Sequence, residues 1–452
     1  MPRRLSVLLL AVPVLLASGA RAQQEPGTVS VTTFVVRGHG WGHGLGMPQW
    51  GALGMAKQGS SYDRILGYYY RGIQLGQAPP TKLRVLLVER KTVAIASAAD
   101  FKLQDAAGAV ETLPGGSYTL PASLKLVVTP GQPAVQLQSP VTFVAGRAPL
   151  QVGGRAYRGQ IQVGLVGKKL QAVDVVGLEN YLRGVVTQEM PKAWPLEALK
   201  AQAVAARSYA LAQLRKGAII YPDVRSQVYG GLQAETPSGV EAVTETKGQI
   251  AEYAGKVATT YFYSSSGGRT ASYTDVVQDQ PPVQYLVSVP DPYDAGSPYH
   301  NWGPVVFTGG QVSRLLHVPG VTDLVPDRAG ARARQATVTG SAGAVVVRAT
   351  AVRSALGLRS TWFSVGLLRL SRPSGTFSAG QAVTLTGVKR IKDAVTLEQK
   401  PAGSSWQAGP SISPAADGSF SVSVTPSVTT QYRLVAGSIR TKPLRVTIVE
   451  QQ

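Results

Sequence analysis

The sequence contains no cysteine. This absence excludes disulfide bonds, thiol nucleophiles and cysteine-based metal sites, so the stability of the fold must come from a buried core. Histidine is also scarce, with four residues in 452. No H-E-x-x-H motif occurs either, so neither a metal site nor a cofactor is expected. After the first 22 residues, no apolar run approaches the length that spans a membrane.

Acidic residues are few relative to basic ones. The chain has 25 Asp and Glu against 45 Lys and Arg, a formal net charge of +20. Such a surface suits nucleic acid, anionic lipid or an anionic wall polymer. The sequence has no zinc finger, RNA-recognition signature or basic run of five residues, so a nucleic-acid partner is not expected.

The first 22 residues have the pattern of a secretory signal. Arg3 and Arg4 precede the apolar run LSVLLLAVPVLLASG, and Ala20-Arg21-Ala22 forms an A-x-A cleavage site. The sequence therefore predicts a protein that is secreted or held in the cell envelope, periplasmic or wall-associated, with no stable membrane span after cleavage.

The stretch 195–216 predicts one long helix. Pro195 and Glu197 suit a first helical turn, and Gly217 suits a C-terminal stop. Apolar residues recur at spacings of three and four, which predicts one apolar face. They are Leu199, Ala203, Ala206, Ala210 and Leu214. The many alanines indicate that another backbone approaches this helix closely.

Three charged residues near this helix are candidates for chemistry. Glu189 lies among apolar residues in VVTQEMP, a setting that raises a carboxyl pKa as a general acid requires; the alternative is an ordinary helix-end glutamate. Lys200 and Arg207 lie two turns apart on one face. They line either a cleft wall or a solvated basic face.

A glycine-rich block, RGHGWGHGLGMPQWGA, occupies the amino end. Alternating glycines argue against a helix that would bring His39 and His43 together. The two histidines either have a structural hydrogen-bonding role or contact substrate and transfer protons near the glutamate. Short helices are predicted over Gln49–Lys57 and Tyr62–Tyr70.

Further polar positions lie downstream. Gln227 and Tyr229 fall in the turn-rich stretch YPDVRSQVYGGLQAET. Three serines from Ser264 precede two glycines, where they either cap a turn or bind sugar hydroxyl and N-acetyl groups; no G-x-S-x-G elbow is present. Asp291 and Asp294, in DPYDAGSP, are interpreted as turn formers rather than as a second catalytic acid.

The segment LENYLRGVVTQEMPKAWPLEALKAQAVAARSYA resembles the signature of the SpoIID/LytB family, as do YPDV-x-SQVYGG and YFxSSSGG-x-T. The resemblance implies a lytic transglycosylase that cleaves peptidoglycan glycan strands lacking stem peptides, with Glu189 as the catalytic acid. The LytB branch implies the alternative, a wall-binding enhancer of a separate cell-wall amidase. Implied cleft or substrate-binding residues are Lys200, Arg207, Tyr263, Ser264, Ser265, Gln227, Tyr229, His39, His43 and Gln49.

The glycine-rich block also resembles the family, but there it stands at the carboxyl end of the domain. The segment that normally precedes it resembles Val352–Val365 of this chain. That order is what a circular permutation produces, which requires the old ends to lie close together. We therefore predict that a strand at Thr33–Val36 lies beside Trp362–Val365.

The predicted fold class is α+β: a β-rich SpoIID-like core with a long alanine-rich helix, followed by a C-terminal all-β sandwich of immunoglobulin type. The predicted organisation is a signal peptide over 1–22, a permuted Gly/His-rich segment over 23–80 and a β-rich subdomain over 81–176. A catalytic core over 177–366 and the immunoglobulin-like sandwich over 367–452 complete it.

Overall fold

The computed structural model describes residues 27–129, 131–217 and 219–449. The predicted signal peptide lies outside these residues. The chain forms two compact units: unit 1 contains the described residues up to Gly40 and those from Asn301 onward, and unit 2 contains Trp41–His300. Both units contain helices and strands, which confirms the α+β class.

The helices and strands follow each other along the whole chain. The helices are α1 Gln49–Lys57, α2 Tyr62–Tyr69, α3 Leu178–Arg183, α4 Val186–Glu189, α5 Leu196–Arg215, α6 Pro237–Glu245, α7 Tyr273–Val276, α8 Gly309–Leu316 and α9 Ala349–Ala355, with 3-10 turns at Gly231–Ala234 and Pro292–Gly296. The strands up to residue 177 are β1 Thr28–His39, β2 Met47–Pro48, β3 Gln74–Gln77, β4 Lys82–Arg90, β5 Thr92–Ser97, β6 Phe101–Gln104, β7 Val110–Leu113, β8 Gly116–Pro121, β9 Lys125–Leu126, β10 Val135–Gln136, β11 Val141–Val144, β12 Leu150–Val152, β13 Arg155–Tyr157, β14 Gln160–Val166 and β15 Lys169–Gly177. The later strands are β16 Gln249–Tyr253, β17 Lys256–Val257, β18 Phe262–Tyr263, β19 Asn301–Thr308, β20 Asp323–Ala329, β21 Arg332–Gly340, β22 Gly343–Arg348, β23 Phe363–Pro373, β24 Phe377–Ser378, β25 Val383–Arg390, β26 Thr396–Pro401, β27 Gln407–Ser411, β28 Ser419–Val424, β29 Thr430–Ala436, β30 Ile439–Arg440, β31 Leu444–Val446 and β32 Ile448–Val449.

Unit 2 is built around helix α5. A six-stranded sheet (β4-β15-β14-β11-β6-β7) and a four-stranded sheet (β13-β12-β5-β8) share one core with the helices. The predicted helix is confirmed, but the prediction of a single apolar face is wrong, because buried positions surround α5 from Ala198 to Ala212. Its small side chains admit close neighbours, and the Thr260 hydroxyl donates to the carbonyl of Ala205 at 2.7 Å.

Unit 1 contains the strand pair that the permutation requires. β1 pairs antiparallel with β23, with Val36 opposite Val365 and Gly38 opposite Phe363. The predicted neighbourhood of Thr33–Val36 and Trp362–Val365 is therefore confirmed. β23 runs unbroken from Phe363 to Pro373, across the predicted boundary at 366/367.

The carboxyl-terminal part of unit 1 consists of strands. The sheet β19-β1-β23-β25-β28 and the sheet around β26 and β29 share a buried core that includes Leu370, Leu385 and Tyr432. This two-sheet arrangement is compatible with a sandwich, and its immunoglobulin type stays a prediction. Among the described residues, no helix combines the length and apolarity that crossing a membrane demands.

Local patterns predicted several elements of unit 2 correctly. α1 has the predicted bounds, and α2 ends one residue early. The hairpin over Ala254-Gly255 is present, because Glu252 pairs with Val257. The β-branched and aromatic residues of Val257–Tyr263 also predict one continuous second strand for this hairpin, and that prediction is wrong. β17 stops at Val257, and Phe262–Tyr263 instead pairs in parallel with Met47–Pro48.

Candidate functional site

The Glu189 side chain is held by two segments of unit 2 that are far from it in sequence. Glu189 is the last residue of the short helix α4. Its Oε1 accepts a hydrogen bond from the backbone N–H of Val228 at 2.8 Å. The side chain of Gln49, the first residue of α1, also hydrogen-bonds this carboxyl group. The glutamate is thus fixed from two sides by segments far apart in sequence.

The surroundings of Glu189 favour its neutral form. Burial raises the pKa of the Glu189 carboxyl above its ordinary value, while the hydrogen bonds from Val228 and Gln49 oppose the rise. Tyr181 lies close enough for the Glu189 charge to raise the pKa of its phenol, after burial, which has the larger effect. A half-buried carboxyl that keeps its proton at a higher pH than an ordinary glutamate can donate that proton.

Two tryptophans follow residues of this site in the sequence. Trp50 follows Gln49 on α1, and Trp194 follows Glu189 by five residues. Their rings pack edge to face with centroids 5.3 Å apart, and both are half-buried. This contact joins α1 to the segment between α4 and α5.

Arg207 does not line a cleft in this structure. It is completely buried, and its Nε and Nη2 donate to the two carboxylate oxygens of Glu179 at 2.9 and 2.7 Å. Nη1 also donates to the carbonyl of Gln249 at 3.0 Å. With its guanidinium directed into the protein, Arg207 joins α5 to α3 and β16 and has no surface for a ligand.

Lys200 is also engaged within the protein. Its Nζ lies 2.8 Å from Glu197 and 2.5 Å from Glu245, and these two carboxylates raise its pKa. The side chain is 13% exposed. Lys200 and Arg207 therefore lie neither on a cleft wall nor on a solvated basic face, the two positions that the sequence left open.

Gln227 and Tyr229 are buried, and their polar atoms face the interior. The amide of Gln227 accepts from the Tyr181 hydroxyl and donates to the carbonyl of Ala206. The hydroxyl of Tyr229 donates to Asp174 Oδ2 at 2.8 Å. Both residues were predicted as substrate contacts, but the structure places them behind the Val228 N–H that binds Glu189.

The two histidines of the glycine-rich block lie in different units. In unit 2, His43 Nδ1 accepts from the N–H of Leu45, so the proton lies on Nε2, 3.1 Å from the Phe262 carbonyl. This is the structural role that the sequence left open. In unit 1, the ring of His39 packs against Trp362 with centroids 4.7 Å apart.

The segment after β18 is tied to a buried aspartate. Ser265 is fully buried, and its hydroxyl donates to Asp294 Oδ2 at 2.9 Å. Asp294 also accepts the backbone N–H groups of Ser266 and Gly267. The serine side chain therefore acts within the protein, and Asp294 organises this turn, as its interpretation as a turn former requires.

The two remaining predicted contacts precede that turn. Tyr263 is buried, and its ring lies 5.2 Å from that of His43. Ser264 is half-buried, and its carbonyl accepts the N–H of Trp50. Both residues border α1, which carries Gln49. Among the residues that the structure describes, no three acidic or histidine side chains form a metal-binding group.

The sequence reading missed Asp174 and the Val228 N–H. Asp174 occupies a buried position of the alternating strand β15, where apolar residues are expected, and this conflict was the available signal. The Val228 donor is a backbone group, so no residue type could reveal it. Burial raises the pKa of Asp174 to about 7.

This buried aspartate predicts a pH-dependent stability. A raised pKa means that the folded state binds the proton more tightly than the unfolded state, so stability is lost as the pH rises through about 7. Relative to Asp174→Asn, the wild-type free energy of unfolding should fall by about 4 kcal/mol between pH 4 and pH 8. Urea denaturation at both pH values measures this difference, and parallel pH profiles of the two proteins would contradict it.

Comparison with known proteins finds a family that is similar to the segment around this site. The model of the SpoIID family, described as stage II sporulation protein, matches residues 166–253. An uncharacterised protein of Brachyspira hyodysenteriae is 40% identical over 130 residues, which cover 28% of this chain and 35% of the relative. The amidase enhancer of Bacillus subtilis strain 168 is 39% identical over 113 residues, 25% of this chain and 15% of the relative.

Stage II sporulation protein D of the same strain is 29% identical over 221 residues, 43% of this chain and 61% of the relative. The chain thus spans less than two thirds of each of these relatives. The region matched by the family model begins at the end of β14, ends with β16, and contains both Glu189 and the Val228 donor. The segment of this chain that contains these residues is therefore similar to the SpoIID family.

Proposed function

We propose that this protein is an exported lytic transglycosylase that cleaves peptidoglycan glycan strands without stem peptides. Glu189 protonates the glycosidic oxygen between N-acetylmuramic acid and N-acetylglucosamine as the C1–O bond breaks. The C6 hydroxyl of the muramic residue attacks C1 and returns its proton to the Glu189 carboxylate. The products are a 1,6-anhydromuramic end and a free 4-hydroxyl on N-acetylglucosamine.

The observation that carries this proposal is the setting of Glu189. Burial raises the pKa of its carboxyl, so the acid form persists at a higher pH than in water. The bond from the Val228 N–H at 2.8 Å holds one oxygen, so the side chain has a defined orientation. A proton donor needs both properties.

The charges around Glu189 favour a lyase over a hydrolase. Glycoside hydrolases normally pair two carboxyl groups, one of them for the attacking water or the glycosyl intermediate. Within the described part of the chain, the resolved effects on the Glu189 pKa are burial and the bonds from Val228 and Gln49, without a second carboxylate. A reaction in which the sugar provides its own nucleophile needs one acid–base group only.

The second candidate is a wall-binding enhancer of a cell-wall amidase without activity of its own. Two observations favour it: a relative that matches this chain is named amidase enhancer, and Arg207 is buried against Glu179. A substrate carboxylate would then be bound by groups other than Arg207. The net charge of +20 serves wall binding under both candidates.

Release of soluble fragments from purified walls separates the two candidates. The purified protein is incubated with intact sacculi and with glycan strands stripped of peptides, each with and without a cell-wall amidase. We expect release from stripped strands by the protein alone. If the protein alone releases nothing but accelerates the amidase on intact sacculi, the enhancer candidate is correct.

The pH dependence of cleavage follows from the raised pKa. Because Glu189 must carry its proton, kcat/KM should fall about tenfold for each pH unit above the pKa of Glu189, which lies above 4.5. Glu197→Gln is the matched control, since Glu197 pairs with Lys200 on α5 and should leave this descending limb unchanged. A kcat/KM that stays constant or rises through this pH range would exclude Glu189 as the acid.

A further inference from the structure

We propose that Gln227 and Tyr229, with Asp174 behind Tyr229, are positioning residues that hold the Val228 N–H against the Glu189 carboxylate. This inference rests on the proposed function, because it assigns the buried groups that set the geometry of the acid. Neither side chain touches substrate in this account. Both act through the backbone between them.

Gln227 fixes the segment on the amino side of Val228. Its Oε1 accepts from the Tyr181 hydroxyl at 3.1 Å, and its Nε2 donates to the carbonyl of Ala206 at 3.2 Å. The residue is 1% exposed, so water does not compete for these bonds. Gln227 thereby fastens the segment to α3 and α5 at once.

Tyr229 fixes the segment on the carboxyl side. Its hydroxyl donates to Asp174 of β15 at 2.8 Å, and its ring packs against that of Tyr181 with centroids 4.8 Å apart. Tyr229 and Asp174 are both buried. The backbone adds a further tie, because the N–H of Gly230 donates to the carbonyl of Gly184 at 3.0 Å.

Val228 therefore lies between two anchored neighbours. Val228 itself is half-buried, and its N–H is directed at Glu189 Oε1. A backbone donor has no rotamer and can be aimed only by fixing the residues on either side of it. Hydrogen bonds between buried polar side chains supply this kind of rigidity.

The experiment measures the pKa of Glu189 directly, so it needs no catalysis. Glutamate labelled with carbon-13 at the carboxyl is titrated by NMR in the full chain, and Glu189→Gln identifies the signal. In Tyr229→Phe and Gln227→Leu, the Val228 bond to the carboxylate weakens, so the pKa of Glu189 should rise by about one pH unit. Tyr181 of α3 is the titratable group whose own pKa senses Glu189, and both variants retain it.

Tyr69→Phe is the matched control. The Tyr69 hydroxyl donates to Asp291 Oδ1 at 2.8 Å, so the variant loses a comparable buried tyrosine–aspartate bond elsewhere in unit 2. Its Glu189 titration should match wild type. If both test variants fold and titrate as wild type, or if Tyr69→Phe shifts Glu189 equally, the positioning role is refuted.

Kinetics separates this inference from the proposed function. If wild type cleaves glycan, Tyr229→Phe should lower kcat about tenfold with KM unchanged. If wild type cleaves nothing, the proposed function fails, while the titration still tests the positioning of Glu189. Equal kinetics of Tyr229→Phe and wild type would overturn the inference alone.

Discussion

Arg207→Met should lower the free energy of unfolding by about 2 to 3 kcal/mol, because it removes the hydrogen bonds of a completely buried guanidinium, while the remaining Glu179 is 28% exposed and partly hydrated. The guanidinium is completely buried and bonds both oxygens of Glu179. Methionine leaves Glu179 without its cation and leaves the carbonyl of Gln249 without this donor. Urea denaturation measures the change.

Lys200→Met is the matched control on the same helix. Lys200 pairs with Glu197 and Glu245, whose side chains are 33% and 46% exposed, so solvent screens both pairs. We expect a loss of about 1 kcal/mol or less. If Arg207→Met is no more destabilised than Lys200→Met but loses glycan binding, then Arg207 is a substrate contact and not a structural cation.

Glu189→Gln should reduce the rate of glycan cleavage by about 10²- to 10⁴-fold, the range that general acid catalysis contributes. Glutamine keeps the shape of the side chain and an oxygen that accepts the Val228 N–H, but its amide is not acidic and cannot protonate the glycosidic oxygen. Stability and glycan binding should remain close to wild type. Rates of fragment release at saturating glycan measure the loss.

Glu189→Gln also tests the enhancer candidate. An enhancer without activity would show equal amidase stimulation by wild type and Glu189→Gln. Glu197→Gln removes a negative charge from the neighbouring helix α5 and serves as the control. It should retain the wild-type rate of cleavage. Cleavage by Glu189→Gln at the wild-type rate would contradict the assignment of the acid.

The sequence predicted the elements that depend on local signals. The first and last turns of α5 carry Glu197 and Arg215, so its bounds could be predicted within a residue or so. The strand pair of Val36 and Val365 could be predicted from the order of the family motifs. The apolar neighbours of Glu189 predicted a raised pKa, and burial does raise it, whereas the role of the acid came from the resemblance to the SpoIID/LytB family.

What could not be predicted depends on contacts between distant segments. The partners of Arg207 lie 28 residues before it, at Glu179, and 42 residues after it, at Gln249. Nothing in the spacing of Lys200 and Arg207 reveals that acidic partners neutralise both. In the same way, the residues alone left open whether the serines cap a turn or bind sugar, and the family resemblance implied a substrate contact at Ser265. The partner of Ser265, Asp294, lies 29 residues away in sequence.

The chemical structure of the new chain ends shows whether Glu189 is the acid of a lytic transglycosylase. Peptide-free glycan strands are incubated with wild type and with Glu189→Gln, and the fragments are analysed by mass spectrometry. We expect 1,6-anhydromuramic ends from wild type and none from the variant. Reducing ends, heavier by one water, would show a hydrolase with a second carboxylate, and anhydro ends from both proteins would show that Glu189 is not the acid.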